Sequence, residues 1–235
     1  MRSGLKRFWK EVGVSEVADG YSVALDGRAL KTQGKQAQVV PTLTLAEALA
    51  AEWAAQGEII DPAGFVLRDL ADMAIDVIAE DRDAAIAGLL RYAETDTLCY
   101  RADPDEPLHA RQLELWEPLL LAAEARWDVH FERVSGVIHC PQSPATLARL
   151  KSVLETKDMF VLAALSTLTP LSASLIVGLA ALEPDADARK LWTAAELEEE
   201  WQAELWGREE EAEVRRARRF AAFSTGSDFA RLARG

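Results

Sequence analysis

The sequence predicts an α+β protein in which a small N-terminal antiparallel β domain precedes a larger, mostly α-helical domain. In the first forty residues Tyr21, Val23 and Leu25 alternate with polar or small residues, which is the period-two pattern of a half-buried strand. From about residue 44 onward the apolar residues recur at helical spacing. Because strand and helix patterns occupy separate parts of the chain, the α+β class is favoured. We expect residues 1–57 to form the β domain with the first helix, and residues 58–235 the helical domain.

Turn signals divide the β region into short strands. The dipeptides Asp19-Gly20 and Asp26-Gly27 are typical of the tight turns that close hairpins. Residues 36–40 predict a further strand, which Pro41 ends.

The helical region begins with a capping signal. Thr44 and Glu47 form a capping box, and Gly57 is a plausible stop for the first helix. Extended pieces are expected at residues 97–102 and 129–140. Further helices are predicted at residues 67–79, 82–94, 107–127, 144–155, 187–206 and 208–223.

One uncharged segment, residues 159–182, is long enough to cross a bilayer. It contains several hydroxyl side chains, and Thr169-Pro170 has the form of a helix N-cap followed by the first helical residue. The sequence therefore favours two short helices buried in a protein core over a membrane span. We expect no stable membrane insertion.

The charge balance argues against a nucleic-acid partner. The net charge is −13, from 39 acidic and 26 basic residues, so the whole-protein field repels phosphate backbones and anionic lipid. The arginines at 215–219 follow a run of glutamates, which is typical of a solvated, ion-paired helix. Cys99 and Cys140 have no CxxC spacing, so a reducing compartment is expected.

No recognised catalytic motif accompanies this fold pattern. The Gly34-Lys35 pair lacks the spacing and the hydroxyl of a phosphate-binding loop, and the three histidines lack helical spacing for a shared metal. We therefore expect no metal and no cofactor. The alternative is a small-molecule enzyme with a site near Cys99 or an acidic pair. A general scaffold subunit that self-associates is a third possibility.

A series of short motifs in fixed order carries a family resemblance. The motifs are Arg7-Phe8-Trp9-Lys10, Asp26-Gly27-Arg28, Leu30-Lys31-Thr32, Val40-Pro41-Thr42, Glu52-Trp53 with Gln56, Ile60-Asp61-Pro62, Thr95 through Arg101, Gln112 with Trp116, and Leu197 through Gln202 with Trp206-Gly207. The series resembles the ATP synthase assembly chaperones that bind the alpha subunit, known in mitochondria as assembly factor two. It departs from the family pattern at Gln33, where proline is usual, and at Asp72, where asparagine is usual.

The resemblance implies a molecular chaperone for assembly of the F-type ATP synthase catalytic head. Such a protein captures the unassembled alpha subunit, prevents its aggregation and releases it when the beta subunit takes its place. The resemblance implies a protein that is not an enzyme and does not hydrolyse nucleotide, and we expect a monomer. Because the first motif begins at Arg7, we expect a bacterial cytoplasmic protein, with eukaryotic relatives in the mitochondrial matrix.

A helical wheel of residues 187–206 predicts where the partner binds. The stripe expected to face the core comprises Leu191, Ala194, Leu197, Trp201 and Leu205. On this wheel Glu196 and Glu200 are solvated, Glu198 lies at the edge of the stripe, and Glu199 lies between Trp192, Ala195 and Trp206. Acids beside exposed tryptophans are typical of protein-recognition surfaces. The predicted partner-binding residues are therefore Glu198, Glu199, Trp192, Trp206 and Gln202, with a pairing of Glu199 to a nearby arginine as the alternative.

The remaining candidate residues have local or structural interpretations. Asp96 is expected to accept hydrogen bonds from nearby backbone amides, and a partner contact is a second hypothesis for it. Trp53, Trp9 and Trp116 are expected to be structural core residues.

Overall fold

The computed structural model describes residues 5–136 and 138–235. Three strands near the N-terminus, β1 (Val12–Val17), β2 (Gly20–Leu25) and β3 (Arg28–Ala29), form an antiparallel sheet in the order β1-β2-β3. The small antiparallel β region predicted by the sequence is confirmed.

The turn between β2 and β3 is the predicted Asp26-Gly27. Both residues have positive φ, 48° and 78°, as a two-residue hairpin turn of this type requires. The Asp26 carboxylate also accepts hydrogen bonds from the backbone amides of Lys10 and Glu11 at 3.0 and 2.8 Å. These bonds hold the pKa of Asp26 below its usual value.

The first hairpin turn lies one residue earlier than predicted. Ala18 and Asp19 form it, and Gly20 already belongs to β2. Gly20 has φ 143°, and a Cβ at this position would lie 2.3 Å from the carbonyl oxygen of Val40. Glycine is therefore required here by the close approach of another backbone segment.

The predicted strand at residues 36–40 is wrong. Only isolated bridges form there, between Tyr21 and Val40 and between Lys31 and Ala37. The amide of Gln36 donates to the Thr32 hydroxyl at 3.0 Å, and the amide of Val40 donates to the carbonyl of Tyr21 at 2.9 Å. These backbone donors are therefore satisfied without a continuous ladder.

The two positions that depart from the family pattern contact each other. The backbone amide of Gln33 donates to Asp72 Oδ2 at 3.1 Å, and the Gln38 side chain donates to Asp72 Oδ1 at 2.6 Å. A proline at position 33 has no N–H to donate. The carboxylate at position 72 and the non-proline residue at position 33 therefore act as a matched pair.

Ten α-helices lie in the described residues, so the larger, mostly helical part of the α+β prediction is confirmed. The second of them continues into a π-helical segment, Ala74–Ile78, and short 3₁₀ helices occur at Pro62–Gly64 and Thr97–Cys99. A parallel pair of two-residue strands, β4 (Tyr100–Arg101) and β5 (Val134–Ser135), lies among the helices. The helices are α1 (Leu43–Ala54), α2 (Val66–Met73), α3 (Arg82–Glu94), α4 (Pro107–Trp127), α5 (Pro144–Glu155), α6 (Met159–Ser172), α7 (Leu175–Ala180), α8 (Ala188–Ala195), α9 (Leu197–Trp206) and α10 (Glu210–Arg234).

Several helix limits match the sequence predictions, and others do not. The bounds of α3, α4 and α5 are confirmed. The cap of α1 is Thr42 rather than Thr44, because the Thr42 hydroxyl accepts the amide of Leu45 at 3.1 Å. The last helix, α10, continues past Phe223 to Arg234. Of the predicted extended piece at 129–140, residue 137 lies outside the described residues.

The uncharged segment forms two helices, but the break between them is not at Thr169-Pro170. Helix α6 continues through Pro170 to Ser172, and α7 begins after Ser174, whose hydroxyl accepts the amide of Val177. None of the helices in the described ranges is long and apolar enough to cross a membrane.

The chain divides into two compact units. One contains the residues up to Arg82 together with Met159–Ala164 and Asp228–Gly235, and the other contains Asp83–Asp158 and Leu165–Ser227. The separate division of the chain at residue 57 stays a prediction.

Aromatic stacking connects two motif segments and Phe65 in the first unit. Trp9, which is 3% exposed, packs edge-on against the half-buried Trp53 at 5.0 Å, and Trp53 packs against Phe65 at 4.5 Å. The Arg7 guanidinium donates to the carbonyl of Gln56 at 2.8 Å. The N-terminal motifs of the family series therefore contribute to the packing of this unit.

Helix α2 receives its N-terminal cap from a side chain distant in sequence. Phe65 occupies the N-cap position and makes no side-chain cap bond. Instead, the Glu52 carboxylate accepts the amides of Leu67 and Arg68 at 2.7 and 2.9 Å. This arrangement satisfies two of the free N–H groups of the first turn.

We expect Glu52→Ala to lower the free energy of unfolding by about 2 kcal/mol, because two amides lose their acceptor. Urea denaturation followed by circular dichroism measures this loss. Glu47→Ala is the matched control, because Glu47 lies on the exposed face of α1, the helix that also carries Glu52. This variant should change the free energy of unfolding by less than about 0.5 kcal/mol. Equal losses for the two variants would show that the cap adds no stability.

Candidate partner-binding site

A buried glutamine joins two motif segments in the second unit. Gln112, on α4, is fully buried. Its Oε1 accepts the backbone amide of Ala102 at 2.9 Å, and its Nε2 donates to Glu198 Oε1 at 2.9 Å. The end of β4 and the first turn of α9 are thereby held together.

A concave surface of about 600 Å³ lies beside this link. It brings residues of the Thr95–Arg101 motif next to Glu198, which is almost one hundred positions later in the chain. Tyr100 and Leu108 contribute apolar area, and Asp103 and Glu106 contribute negative charge. The lining residues are Thr95, Thr97, Tyr100, Arg101, Ala102, Asp103, Glu106, Leu108, Gly136 and Glu198.

The positive charge in this lining is already paired. Arg101 is buried and forms an ion pair with Glu117, which also binds Arg133 at 2.9 Å. The hydrogen bonds from both arginines hold the pKa of Glu117 below its usual value, although partial desolvation opposes them. Asp103, Glu106 and Glu198 form no ion pair within the part of the chain that the structure describes, so the surface presents negative charge.

Glu198 reaches solvent at this surface, but neighbouring groups partly shield its carboxylate. This desolvation raises the pKa of Glu198, and the hydrogen bond from Gln112 opposes the rise. Predicted as an edge residue of the core stripe, Glu198 instead points to α4 and the concave surface.

The predicted patch of Trp192, Glu199 and Trp206 is not present. Trp192 is 3% exposed and packs against Phe220 and Phe223, with ring centroids 6.1 and 5.4 Å apart. The expected exposure of Trp192 is therefore wrong, and its role in partner binding stays a prediction. Trp206 ends α9 and is 82% exposed.

The predicted helix is broken at Glu196, and the helical wheel is correct only in part. Glu196 has φ −92° and ψ 9°, so α8 ends at Ala195 and α9 begins at Leu197. Leu191, Ala194 and Leu197 of the predicted stripe are buried. Leu205, predicted in the core, is 58% exposed. Trp201 is half-buried beneath the guanidinium of Arg111, and Gln202 is exposed.

Glu196, predicted to be solvated, is only 6% exposed. It forms ion pairs with Arg219 at 3.2 Å and with Arg216 at 3.6 Å. Burial raises the pKa of Glu196 to about 7, although both arginines oppose the rise.

Glu199 also pairs with Arg219, at 3.1 Å, which is the alternative that the sequence left open. Glu200, predicted to be solvated, binds Arg208 and Arg216.

Asp96 and Trp116 lie in the interior of the second unit. The Asp96 carboxylate accepts the amides of Leu98 and Ile176 at 3.2 and 3.1 Å and has no exposed surface. The partner contact suggested for Asp96 stays a prediction. Burial raises its pKa to about 6, and hydrogen bonds led by that of Ser174 oppose the rise. Trp116 is fully buried, and its indole N–H donates to the carbonyl of Ala194 at 2.7 Å.

The Cys99 environment does not favour a nucleophile. Its side chain is 1% exposed, and burial together with the charge of Asp96 raises the pKa of the thiol. A thiolate is the reactive form of cysteine, and this environment disfavours it. Over the described ranges, no group of three or more His, Cys, Asp or Glu residues could hold a metal ion.

The concave surface thus brings together two chain segments that lie far apart in the sequence. Comparison with known families defines the class as chaperone. The chain belongs to the ATP12 chaperone protein family, whose model matches residues 6–124. The resemblance seen in the sequence is thereby confirmed.

Individual relatives support this assignment. The crystal structure of Atp12 from Paracoccus denitrificans is 41% identical, has a TM-score of 0.92 and covers 97% of this chain and 98% of that chain. A single-substitution variant of P. denitrificans Atp12p matches with the same identity and TM-score, over 97% of each chain. Protein atp12, mitochondrial, from Schizosaccharomyces pombe is 26% identical over 219 residues, which are 88% of this chain and 75% of that protein.

Proposed function

We propose that this chaperone binds the unassembled alpha subunit of the F-type ATP synthase and prevents its aggregation until the beta subunit replaces it. The observation that carries the proposal is the concave surface where the Thr95–Arg101 motif meets Glu198. Residues of the family series that are far apart in sequence line this one solvent-accessible surface.

The expected client chemistry agrees with a holding role. A subunit that awaits its partner exposes an apolar interface, and such a surface aggregates when it is left uncovered. We place Glu198 in the contact surface. Gln202 and the exposed ring of Trp206, which follow it on the same helix, are the other proposed contacts.

The test is capture of the alpha subunit in cells that lack the beta subunit. We expect alpha to be soluble and to co-purify with the chaperone, and we expect added beta to release it. The beta subunit expressed alone with the chaperone is the matched control and should stay insoluble. An insoluble alpha subunit beside a soluble chaperone would contradict the proposal.

The finer features of the proposal concern state and place. We propose a monomer that acts without catalytic turnover in a bacterial cytoplasm, in keeping with its likeness to a bacterial Atp12. Light scattering of the purified chain measures the oligomeric state directly.

A further inference from the structure

We propose that Glu198 receives a lysine or arginine side chain of the client, and that Gln112 is the positioning residue that directs the Glu198 carboxylate to the concave surface. The inference rests on the proposed function and deepens it, because it names the chemistry of the group that the surface recognises.

The first observation is the distribution of ion pairs along α9 and its cap. Glu196, Glu199, Glu200 and Glu204 each have an arginine within the 4.0 Å limit of an ion pair, supplied by α4, by α10 or by the Arg208 that precedes it. In the ranges 5–136 and 138–235, no arginine lies within ion-pair distance of Glu198. This carboxylate is therefore the one on α9 whose charge the described part of the chain leaves uncompensated.

The second observation is the geometry of Gln112. Its Oε1 is held by the backbone N–H of Ala102, which can only donate, so the amide nitrogen must face Glu198. Rotating the amide by 180° would set two donors against each other at Ala102. Gln112 therefore fixes one oxygen of Glu198, and the hydrogen bonds of the described residues leave Oε2 available for a client group.

The third observation is the composition of the surface. Asp103 and Glu106 add negative charge, and Arg101 is neutralised by Glu117. Tyr100 and Leu108 offer apolar area for the methylene stem of a lysine or arginine. A cation seated here would compensate the partly desolvated Glu198 carboxylate.

The experiment measures the affinity of the full-length chaperone for purified alpha subunit at several salt concentrations. We expect Glu198→Gln to weaken binding at least about tenfold and to reduce its salt dependence, because a desolvated charge pair is lost. Glu204→Gln removes the same charge from the same helix, but Glu204 is already paired with Arg111 at 2.6 Å. We expect this control to bind within about twofold of the wild type.

A double-mutant cycle tests the role of Gln112. Gln112→Leu should weaken binding as Glu198→Gln does, and the double variant should bind no more weakly than Glu198→Gln alone. A residue that acts only through folding would give additive losses, and additive losses would overturn the positioning role. If Gln112→Leu does not fold, Glu198→Gln with its control still decides whether a client cation binds here.

The outcomes separate the two proposals. A wild-type chain that does not bind alpha removes the proposed function and this inference with it. If the wild-type chain binds alpha and the Glu198→Gln and Glu204→Gln variants bind it with equal affinity, the cation site is overturned and the proposed function stays intact.

Discussion

Trp116→Ala is expected to lower the free energy of unfolding by about 4 kcal/mol, because the change removes a large buried side chain and leaves a cavity. Trp116 is fully buried on α4, and its indole N–H donates to the carbonyl of Ala194 at the end of α8. The variant also leaves this carbonyl without its donor. Urea denaturation monitored by far-ultraviolet circular dichroism measures the loss.

Trp206→Ala is the matched control for this prediction. The substitution is the same, but Trp206 is 82% exposed at the end of α9. Its free energy of unfolding should stay within about 0.5 kcal/mol of the wild type. A loss as large as that of Trp116→Ala would contradict the exposed placement of Trp206.

The second large effect is a pH dependence that originates at Asp96. Burial raises its pKa to about 6 from the ordinary 3.8. The folded protein therefore binds this proton more tightly than the unfolded chain does. Stability from this group is highest below about pH 4 and falls as the pH rises to about 6, by roughly 3 kcal/mol in all.

Asp96→Asn should remove this contribution. We expect the free energy of unfolding to change less between pH 5 and pH 7 than it does in the wild type. The residual slope has the same sign, because the pKa of Glu196 is raised to about 7.

Denaturation at pH 5, 6 and 7 provides the measurement. Asp187→Asn is the matched control. Asp187 is an exposed helix cap whose carboxylate accepts the amides of Arg189 and Lys190. If the free energy of unfolding of Asp96→Asn depends on pH as steeply as that of the wild type, Asp96 does not titrate in this range.

Local sequence signals predicted the parts of the fold that depend on neighbouring residues. The limits of α3, α4 and α5 were correct; Pro107 and Pro144 begin α4 and α5. The Asp26-Gly27 turn was also correct, because its backbone conformation is set by the two residues themselves. Predictions of this kind need no knowledge of the rest of the molecule.

The helical wheel of residues 187–206 shows where such reasoning fails. A wheel assumes one uninterrupted helix with one buried face, but the helix is interrupted at Glu196, which has φ −92° and ψ 9°. Trp192 lies before the interruption and is buried because Phe220 and Phe223 of α10 pack against it, whereas Leu205 lies on the surface. Glu196, buried against two arginines of α10, has a partner that no local period could indicate.

The sequence by itself determined the α+β class, most of the helices and, through its ordered motifs, the family. Only the tertiary structure decided that Glu198 is the glutamate of α9 that pairs with no arginine of the described residues, that Gln112 holds it, and that Glu52 caps α2. The bond from Gln112 to Glu198 joins residues 86 positions apart. Local periodicity extends over one element, whereas the pairing of a charge depends on which distant segments the fold places beside it.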